Sequence, residues 1–275
     1  MASYEDEKVK GQSVTLFGGD EKWSSSDWTA SDDRVRGGKS LSYIDCSDQK
    51  IGRFHGNLDI KTLGGAGFAS QRTTGDDRKW DLEKYAGIKL HIAKGDKKRY
   101  TFILKDELLS PNPENGREQA TISYEADFGL PPQTQPGETH DRSVFIPWKS
   151  FNPTYRGKLK KDADPLDTTQ IKRISIMMRS FFGTQEGDFS LSIRSITAVS
   201  KAPEHGSLLP LGVDARQLEA GSAQPEHSPR YYNVRLSNRV FEGDIRLHKT
   251  TTHVVALIVV FIVSYNGVHW LLGSC

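Results

Sequence analysis

The segment LGGAGFASQRT, residues 63–73, is the stretch of the chain whose glycine spacing comes nearest to a phosphate-binding loop. A dinucleotide site requires a strand, then G-x-G-x-x-G, then a helix whose N-terminus faces the pyrophosphate. Gly65 and Gly67 fit this pattern, but Ser70 stands where the third glycine belongs, and the following FASQRTTGDD lacks helical periodicity. The order strand, glycines, strand predicts a tight reversal rather than a nucleotide site, with Phe68 pointing into the core.

Three pairs of aspartates have the residue type that acid–base catalysis requires. Each pair stands among turn residues, where an aspartate commonly bonds its own backbone. The pairs are Asp32 with Asp33, Asp76 with Asp77, and Asp162 with Asp164. The eight histidines lack metal-ligand spacing, and the two cysteines, Cys46 and Cys275, provide neither a metal site nor a disulfide framework. We therefore expect no catalytic, cofactor-binding or metal-ligating residue, no cofactor, and no enzyme activity.

The overall charge of the chain gives little indication of a partner. Its 37 basic and 35 acidic side chains give a net charge of +2 over 275 residues. Such a balance exerts no general attraction on nucleic acid, so we expect no nucleic-acid partner. The acidic start, MASYEDE, lacks the apolar core of a signal peptide and the arginine-rich character of a mitochondrial presequence. No cleavable targeting segment is predicted from these residues.

The elements that would position any site are mostly strands. Apolar and polar residues alternate in seven segments, most of which are bounded by Gly, Pro, Asn or Asp. These segments are 54–60, 87–94, 99–106, 120–128, 143–151, 172–180 and 189–196. Gly95 and Asp96 separate two of them and predict a hairpin turn. Helical turns are expected only over 76–87 and after Asp167 or Thr168, so the pattern predicts an all-β sandwich.

The composition changes after Ser200. Residues 201–252 are rich in Pro, Gly, Glu and Ser, which indicates a polar, disordered linker. Residues 253–273 then contain an unbroken apolar run of ten, Val254 to Val263, within a segment of about twenty residues that matches one bilayer crossing. The most specific interpretation of residues 253–273 is a membrane anchor. A further strand or buried element, or a tail without an evolved role, remains open.

Several stretches, in their order along the chain, resemble the CIA30 family of complex I intermediate-associated proteins. Each motif is moderately specific by itself, and the ordered set is much more specific. The stretches are SSSDWTASDDRVRGGKSLS (24–42), FHGNLDIKTLGGAGFASQRT (54–73), WDLEKYAGIKLHIAKGDKKRYTFILKD (80–106), FIPWKSFNPTYRGKLKKDADPLDTTQIKRISIMM (145–178) and GDFSLSIRSITAV (187–199). The resemblance covers residues 14–200 and sets them apart from an N-terminal tail, 1–13.

This resemblance implies a galactose-binding-like jelly-roll β-sandwich. It also implies a non-catalytic assembly factor, a chaperone-like scaffold that holds protein subunits of mitochondrial complex I (NADH:ubiquinone oxidoreductase) intermediates. Mitochondrial localisation follows from the same resemblance, and a cytoplasmic paralogue with another protein client is the alternative because no presequence is recognised. A carbohydrate- or small-ligand-binding module is a further alternative, since fold alone does not determine function. Membrane association through 253–273 would be compatible with the assembly role.

Partner-binding candidates are the polar and aromatic residues of the segments that carry this resemblance. One rim of loops and the IPWKSF turn supply them, and an exposed sheet face or loop rim is where a sandwich usually contacts a partner. The candidates are Trp28, Asp32, Asp33, Arg36, Arg72, Trp148 and Phe151. Each also has a structural interpretation, because Trp and Phe usually pack in the core and the Asp-Asp-x-x-x-Gly-Gly pattern usually builds a turn. Arg72 could face a partner or pair with a nearby aspartate.

Overall fold

A computed structural model of the chain describes residues 12–130, 142–201 and 207–208. Within these ranges the backbone forms fourteen strands and four short 3-10 helices. The strands are β1 Ser13–Gly18, β2 Trp28–Ala30, β3 Leu41–Asp45, β4 Gly52–Leu58, β5 Phe68–Thr73, β6 Gly87–Gly95, β7 Arg99–Lys105, β8 Ser123–Gly129, β9 Arg142–Pro147, β10 Asn152–Tyr155, β11 Lys158–Leu159, β12 Arg173–Arg179, β13 Gly187–Val199 and β14 Ser207–Leu208. The helices are Ser25–Asp27, Asp33–Arg36, Trp148–Ser150 and Thr168–Gln170.

The strands form two seven-stranded sheets. The first sheet has the order β14-β9-β6-β13-β4-β3, and β1 also pairs with β13. The second sheet has the order β11-β10-β8-β7-β12-β5-β2. Neighbours pair antiparallel except β14, which runs parallel to β9. The predicted all-β sandwich is confirmed.

The thirteen-residue strand β13 organises the first sheet. One of its edges pairs with β6, whereas its other edge is shared by two strands. Gly187 to Ile193 pair with β4, and Ser195 to Val199 pair with β1. The last strand that the alternation predicts is therefore hydrogen-bonded to three strands that precede it.

The core lies between the sheets and follows the predicted alternation. On β7, Tyr100, Phe102 and Leu104 are fully buried, and the intervening residues face outward from the second sheet. On β13, Leu191 and Ile193 are likewise fully buried. Apolar residues at every second position thus supply the two inner faces, as in other sandwiches.

Residues 76–87 do not form the predicted helical turns. Trp80 instead pairs with Ile171 in an isolated antiparallel bridge, donating to its carbonyl at 2.8 Å and accepting from its N–H at 3.0 Å. The Leu82 N–H donates to the Thr168 carbonyl at 2.8 Å. Hydrogen bonds to a distant segment replace those within a helix, and the apolar side chains still pack inward. The other predicted helical turn, after Asp167 or Thr168, is confirmed, because Asp167 caps the helix Thr168–Gln170.

The glycine segment joins two strands, as predicted. Residues 61–65 form a turn between β4 and β5, and Gly64 and Gly65 adopt φ of 62° and 96°, which residues with side chains rarely adopt. The prediction for Phe68 is wrong. Ala69 takes the core position with no exposed surface, so Phe68 lies on the opposite face of β5.

The predicted linker and the apolar segment 253–273 lie outside the described residues, apart from Lys201 and β14. Within the described ranges, no helix has the length and apolar character that crossing a membrane requires.

Candidate functional site

Asp32 connects the two sheets through its carboxylate. One oxygen accepts from the Ser42 hydroxyl at 2.6 Å and the Ser70 N–H at 2.8 Å, and the other accepts from the Ser42 N–H at 3.1 Å. Ser42 belongs to β3 of the first sheet and Ser70 to β5 of the second. Because Asp32 is only 6% exposed, these bonds are protected from competing water.

Asp33 makes a second connection of the same kind and is fully buried. Its carboxylate accepts from the Ser40 N–H at 3.1 Å, the Ser40 hydroxyl at 2.7 Å and the Phe68 N–H at 3.1 Å. Gly38 allows the carboxylate to approach, since a Cβ there would lie 2.2 Å from Asp33 Oδ1. The Asp-Asp-x-x-x-Gly-Gly motif therefore joins the sheets, and both carboxylates are directed inward.

The aromatic candidates lie in or against the core. Trp28 packs with Phe17 at a ring separation of 4.9 Å, and Phe151 is buried. Trp148 is partly buried, and its indole N–H donates to the Tyr85 carbonyl at 2.6 Å. In this conformation, Trp28 and Phe151 offer little surface to a partner, and their proposed role in binding stays a prediction.

The two arginine candidates differ in position: Arg72 belongs to β5 of the second sheet, and Arg36 is the last residue of the helix Asp33–Arg36. Arg72 pairs with Glu118 at 3.2 Å, so its ionic partner is a glutamate and not an aspartate. The same glutamate also bonds Arg173, which is only 2% exposed. Arg36 is exposed, and its guanidinium carbon lies 5.4 Å from the centre of the Phe68 ring. Of the seven candidates, Arg36 is therefore the one that the structure leaves most accessible.

A buried ionic group lies on the outer face of the second sheet, and the sequence pattern does not predict it. Arg179 pairs with Glu125 at 2.7 Å and with Asp127 at 2.6 Å. The Thr101 hydroxyl also donates to Asp127, at 2.7 Å, and the Thr154 hydroxyl donates to Glu125, at 2.8 Å. These residues stand at the polar positions of strands in which polar and apolar residues alternate. The alternation predicts that such positions contact solvent, but here the two carboxylates and the two threonines are buried.

The loop that follows Arg179 has an unusual backbone. Phe181 and Phe182 have φ of 43° and 60°, a conformation that is costly for residues with bulky side chains. The Gln185 side chain fixes the loop: its amide donates to the carbonyls of Arg99 at 2.8 Å and Arg179 at 2.7 Å, and its oxygen accepts from the Arg99 N–H.

The two phenylalanines of this loop have opposite environments. The centre of the Phe181 ring lies 3.5 Å from the guanidinium carbon of Arg99 and 4.7 Å from that of Arg179. Phe182 is 57% exposed. The sequence signal was available: two aromatic residues precede Gly183 in the polar stretch RSFFGTQEGD, where a strand ends.

Residues 15–193 match the sequence model of the family described as complex I intermediate-associated protein 30, CIA30. The match spans both sheets from β1 into β13. The chain belongs to the CIA30 family. An uncharacterized protein of Schizosaccharomyces pombe is 45% identical to it over 192 residues, which cover 68% of this chain and 84% of that protein. Membership links the CIA30 domain in general terms with the assembly of complex I.

Two solved structures share a low level of likeness with the CIA30 domain. The family 11 carbohydrate-binding module from Clostridium thermocellum, in complex with a mixed-linked tetrasaccharide, is 16% identical with a TM-score of 0.38. That likeness covers 65% of this chain and 91% of the module. The agarase AgWH50C is 11% identical with a TM-score of 0.39, covering 70% of this chain and 25% of the agarase. The chain thus spans about a quarter of that enzyme, and no ligand is inferred from either structure.

We expect Asp32 and Asp167 of the CIA30 domain to titrate on opposite sides of 3.8, the usual aspartate pKa. Burial raises the pKa of Asp32, although hydrogen bonds from Ser42 and Ser70 oppose the rise. Hydrogen bonds from the Thr169 hydroxyl and N–H lower the pKa of Asp167. Carboxyl-detected NMR titration of the wild type and of the Asp32→Asn and Asp167→Asn variants would assign both signals; the reverse order would contradict the expectation.

These shifts have opposite consequences for stability. The contribution of Asp32 to the free energy of unfolding is complete below pH 3.8 and is lost as pH rises through the higher pKa of the folded state. The contribution of Asp167 is complete above pH 3.8 and is lost as pH falls through the lower pKa of the folded state. The effects of the two aspartates on the pH dependence of the free energy of unfolding therefore partly cancel in acid.

Proposed function

We propose that this protein is a non-catalytic assembly factor that holds protein subunits of complex I intermediates. The observation that carries this proposal is the family match over residues 15–193, which spans nearly all of the sandwich. The S. pombe relative, which shares 45% of its residues with the matched part of the chain, supports the same family assignment.

The geometry of the acidic pair supports a structural and not a catalytic role. Asp32 and Asp33 are adjacent in the chain, and each carboxylate accepts three hydrogen bonds from protein donors. A general base needs access to the proton that it abstracts. Carboxylates directed toward Ser40, Ser42 and the β5 backbone instead rigidify the body that a scaffold presents to its client.

The proposal extends to the compartment and the mode of action. A factor that acts on complex I intermediates would work in mitochondria, by presenting a rigid surface to partly assembled subunits without changing them chemically. Membrane association through 253–273 would place it beside the membrane subunits. A cytoplasmic location with another protein client is the alternative that an experiment should distinguish.

Deletion of the gene, in an organism that carries both it and complex I, tests the proposal. We expect native gels of mitochondrial membranes to show loss of most mature complex I and accumulation of a smaller intermediate. A tagged wild-type copy should restore the complex and migrate with the intermediate. Complexes III and IV, run on the same gels, should be unchanged and so control for a general loss of respiratory chains.

Two results would contradict the assembly role. The first is a deletion strain with normal amounts of mature complex I. The second is a tagged protein that fractionates entirely with the cytosol and migrates with a client unrelated to complex I, which would assign the chain to a paralogue with another function. Carbonate extraction of the same fractions would measure membrane association separately.

A further inference from the structure

One end of the sandwich presents exposed apolar and basic residues together on four neighbouring segments. We call this surface the basic rim. It consists of residues 33–39, 59–67, 95–98 and 180–186. It includes Gly64, Gly65 and Gly67, and the carboxylates of Asp32 and Asp33 are directed into the sandwich beneath it.

Direct contacts unite the segments of the basic rim. The Ser180 N–H donates to the Gly67 carbonyl at 2.9 Å, which joins the Phe182 loop to the glycine segment. The Gln185 side chain bonds the backbone of Arg99, immediately after the turn at 95–98. A groove of about 470 Å³ runs between segments 95–98 and 180–186. It is lined by Lys97, Lys98, Gly183, Thr184, Gln185 and Glu186.

Phe182 and Val35 are the apolar tips of the rim. Phe182 is 57% exposed, and Val35, in the helix Asp33–Arg36, is 84% exposed. The hydrogen bonds of Gln185 and the enclosure of Phe181 hold the loop in its strained conformation, so the Phe182 ring is presented outward on a fixed support. Residues in strained backbone conformations cluster at active sites, ligand-binding sites and switch regions.

The exposed charges of the rim are mostly basic, and Glu186 is its one exposed carboxylate. Five exposed basic residues have no carboxylate within ion-pairing distance among the residues that the structure describes. They are Arg34, Arg36, Lys39, Lys61 and Lys97. By contrast, Asp33, Asp59 and Asp96 each accept a backbone N–H from the protein. Five exposed cations and one exposed carboxylate thus surround the two apolar tips, so the rim is positive overall.

This chemistry fits an anionic bilayer surface better than a protein partner. Protein interfaces are depleted in lysine, whereas the rim carries Lys39, Lys61, Lys97 and Lys98. Long, flexible cations suit headgroups that move laterally, and an aromatic tip suits the boundary between headgroups and acyl chains. We propose that the basic rim docks the domain on membranes that contain anionic phospholipid, with Phe182 entering the interface.

The proposal is independent of the assembly role and of the segment 253–273, and the test uses the full chain. Vesicles of phosphatidylcholine, with and without phosphatidylserine, are sedimented with the wild type and with two rim variants. Phe182→Ala should weaken binding to anionic vesicles about tenfold because it removes the inserted apolar surface. Lys61→Glu with Lys97→Glu should weaken it at least about tenfold, since each lysine near an anionic surface contributes about fivefold.

Matched controls come from the opposite end of the sandwich. Gly129 of β8 pairs with Arg99 near the rim, whereas Ser123 at the other end of β8 pairs with Thr154, next to the exposed Tyr155. Tyr155→Ala and Lys149→Glu with Lys158→Glu should therefore bind as the wild type does. Phe182→Leu should recover most of the binding, which separates apolar insertion from a change in loop structure.

The segment 253–273 is present in every variant, so differences between variants report on the rim. Equal binding to vesicles with and without phosphatidylserine would overturn the proposal, as would rim variants that bind like the wild type. A third contradictory result would be unchanged vesicle binding together with loss of an acidic protein partner, which would assign the rim to a protein. Thermal melts unchanged by the rim substitutions would confirm that binding, and not folding, was altered.

Discussion

Asp33→Ala should be among the most destabilising single substitutions in this domain. The fully buried carboxylate accepts the N–H groups of Ser40, which immediately precedes β3 of the first sheet, and of Phe68, which begins β5 of the second. Alanine would leave the buried Ser40 N–H and the half-buried Phe68 N–H without this acceptor, and a buried donor without a partner costs about 1–3 kcal/mol. We expect the free energy of unfolding to fall by about 3 kcal/mol or more, and the midpoint temperature by about 6–12 °C.

Urea and thermal unfolding of the full chain, followed by tryptophan fluorescence, would measure this loss. Asp33→Asn should be intermediate in stability, because one oxygen remains but the amide nitrogen faces an N–H donor. Asp48→Ala is the matched control, since Asp48 is exposed and its carboxylate accepts the Lys50 N–H at 3.0 Å. The interpretation of Asp33 as a connection between the sheets would be wrong if its loss cost no more than that of Asp48.

Arg179→Met should be comparably destabilising, for a different reason. The substitution keeps an unbranched apolar stem but leaves Glu125 and Asp127 buried without their cation. Removing one partner of a buried ion pair commonly costs about 3–5 kcal/mol because the remaining charge is poorly solvated. A loss of that order is expected in urea unfolding, together with loosening of the Phe181 ring that Arg179 covers.

Neutralising the carboxylates distinguishes this mechanism from simple loss of packing. Adding Glu125→Gln and Asp127→Asn to Arg179→Met should recover more than half of the lost stability, since no buried charge then remains unpaired. The exposed Arg117→Met is the matched control and should change stability by no more than about 0.5 kcal/mol. No recovery in the triple variant would show that the aliphatic part of Arg179, and not its charge, stabilises the sheet.

The strands could be predicted because their inner faces are apolar at every second position. β5 shows where this reasoning fails. Its inward residues Ala69, Gln71 and Thr73 are small or polar, and the Gln71 amide donates to the Ser42 carbonyl at 2.9 Å. The polar inward side chains of β5 form hydrogen bonds, and its one large apolar side chain faces outward. The usual rule, that apolar residues face inward, therefore gives the wrong orientation for this strand. For that reason the sequence predicts the wrong face of β5 for Phe68.

The site was predictable only in part because its contacts join distant segments. The sequence indicated that Asp32 and Asp33 belong to a turn, but the serines they bind are up to 38 residues away along the chain. The ionic group of Arg179 likewise requires β8 and β12 to lie in the same sheet, on either side of β7. The exposure of Phe182 could be predicted only from its backbone conformation. Residue type alone does not distinguish the exposed Phe182 from the buried Phe181.

The order of the strands has a consequence for synthesis on the ribosome. β12 and β13 are both interior strands of their sheets, yet they are among the last parts of the domain to be made. Before they emerge, β4 and β6 lack the strand that joins them, as do β5 and β7. The nascent chain therefore exposes unpaired strand edges, which favour aggregation. Folding of the domain must wait until about residue 199 has left the exit tunnel, so a truncated product has no stable sandwich to adopt.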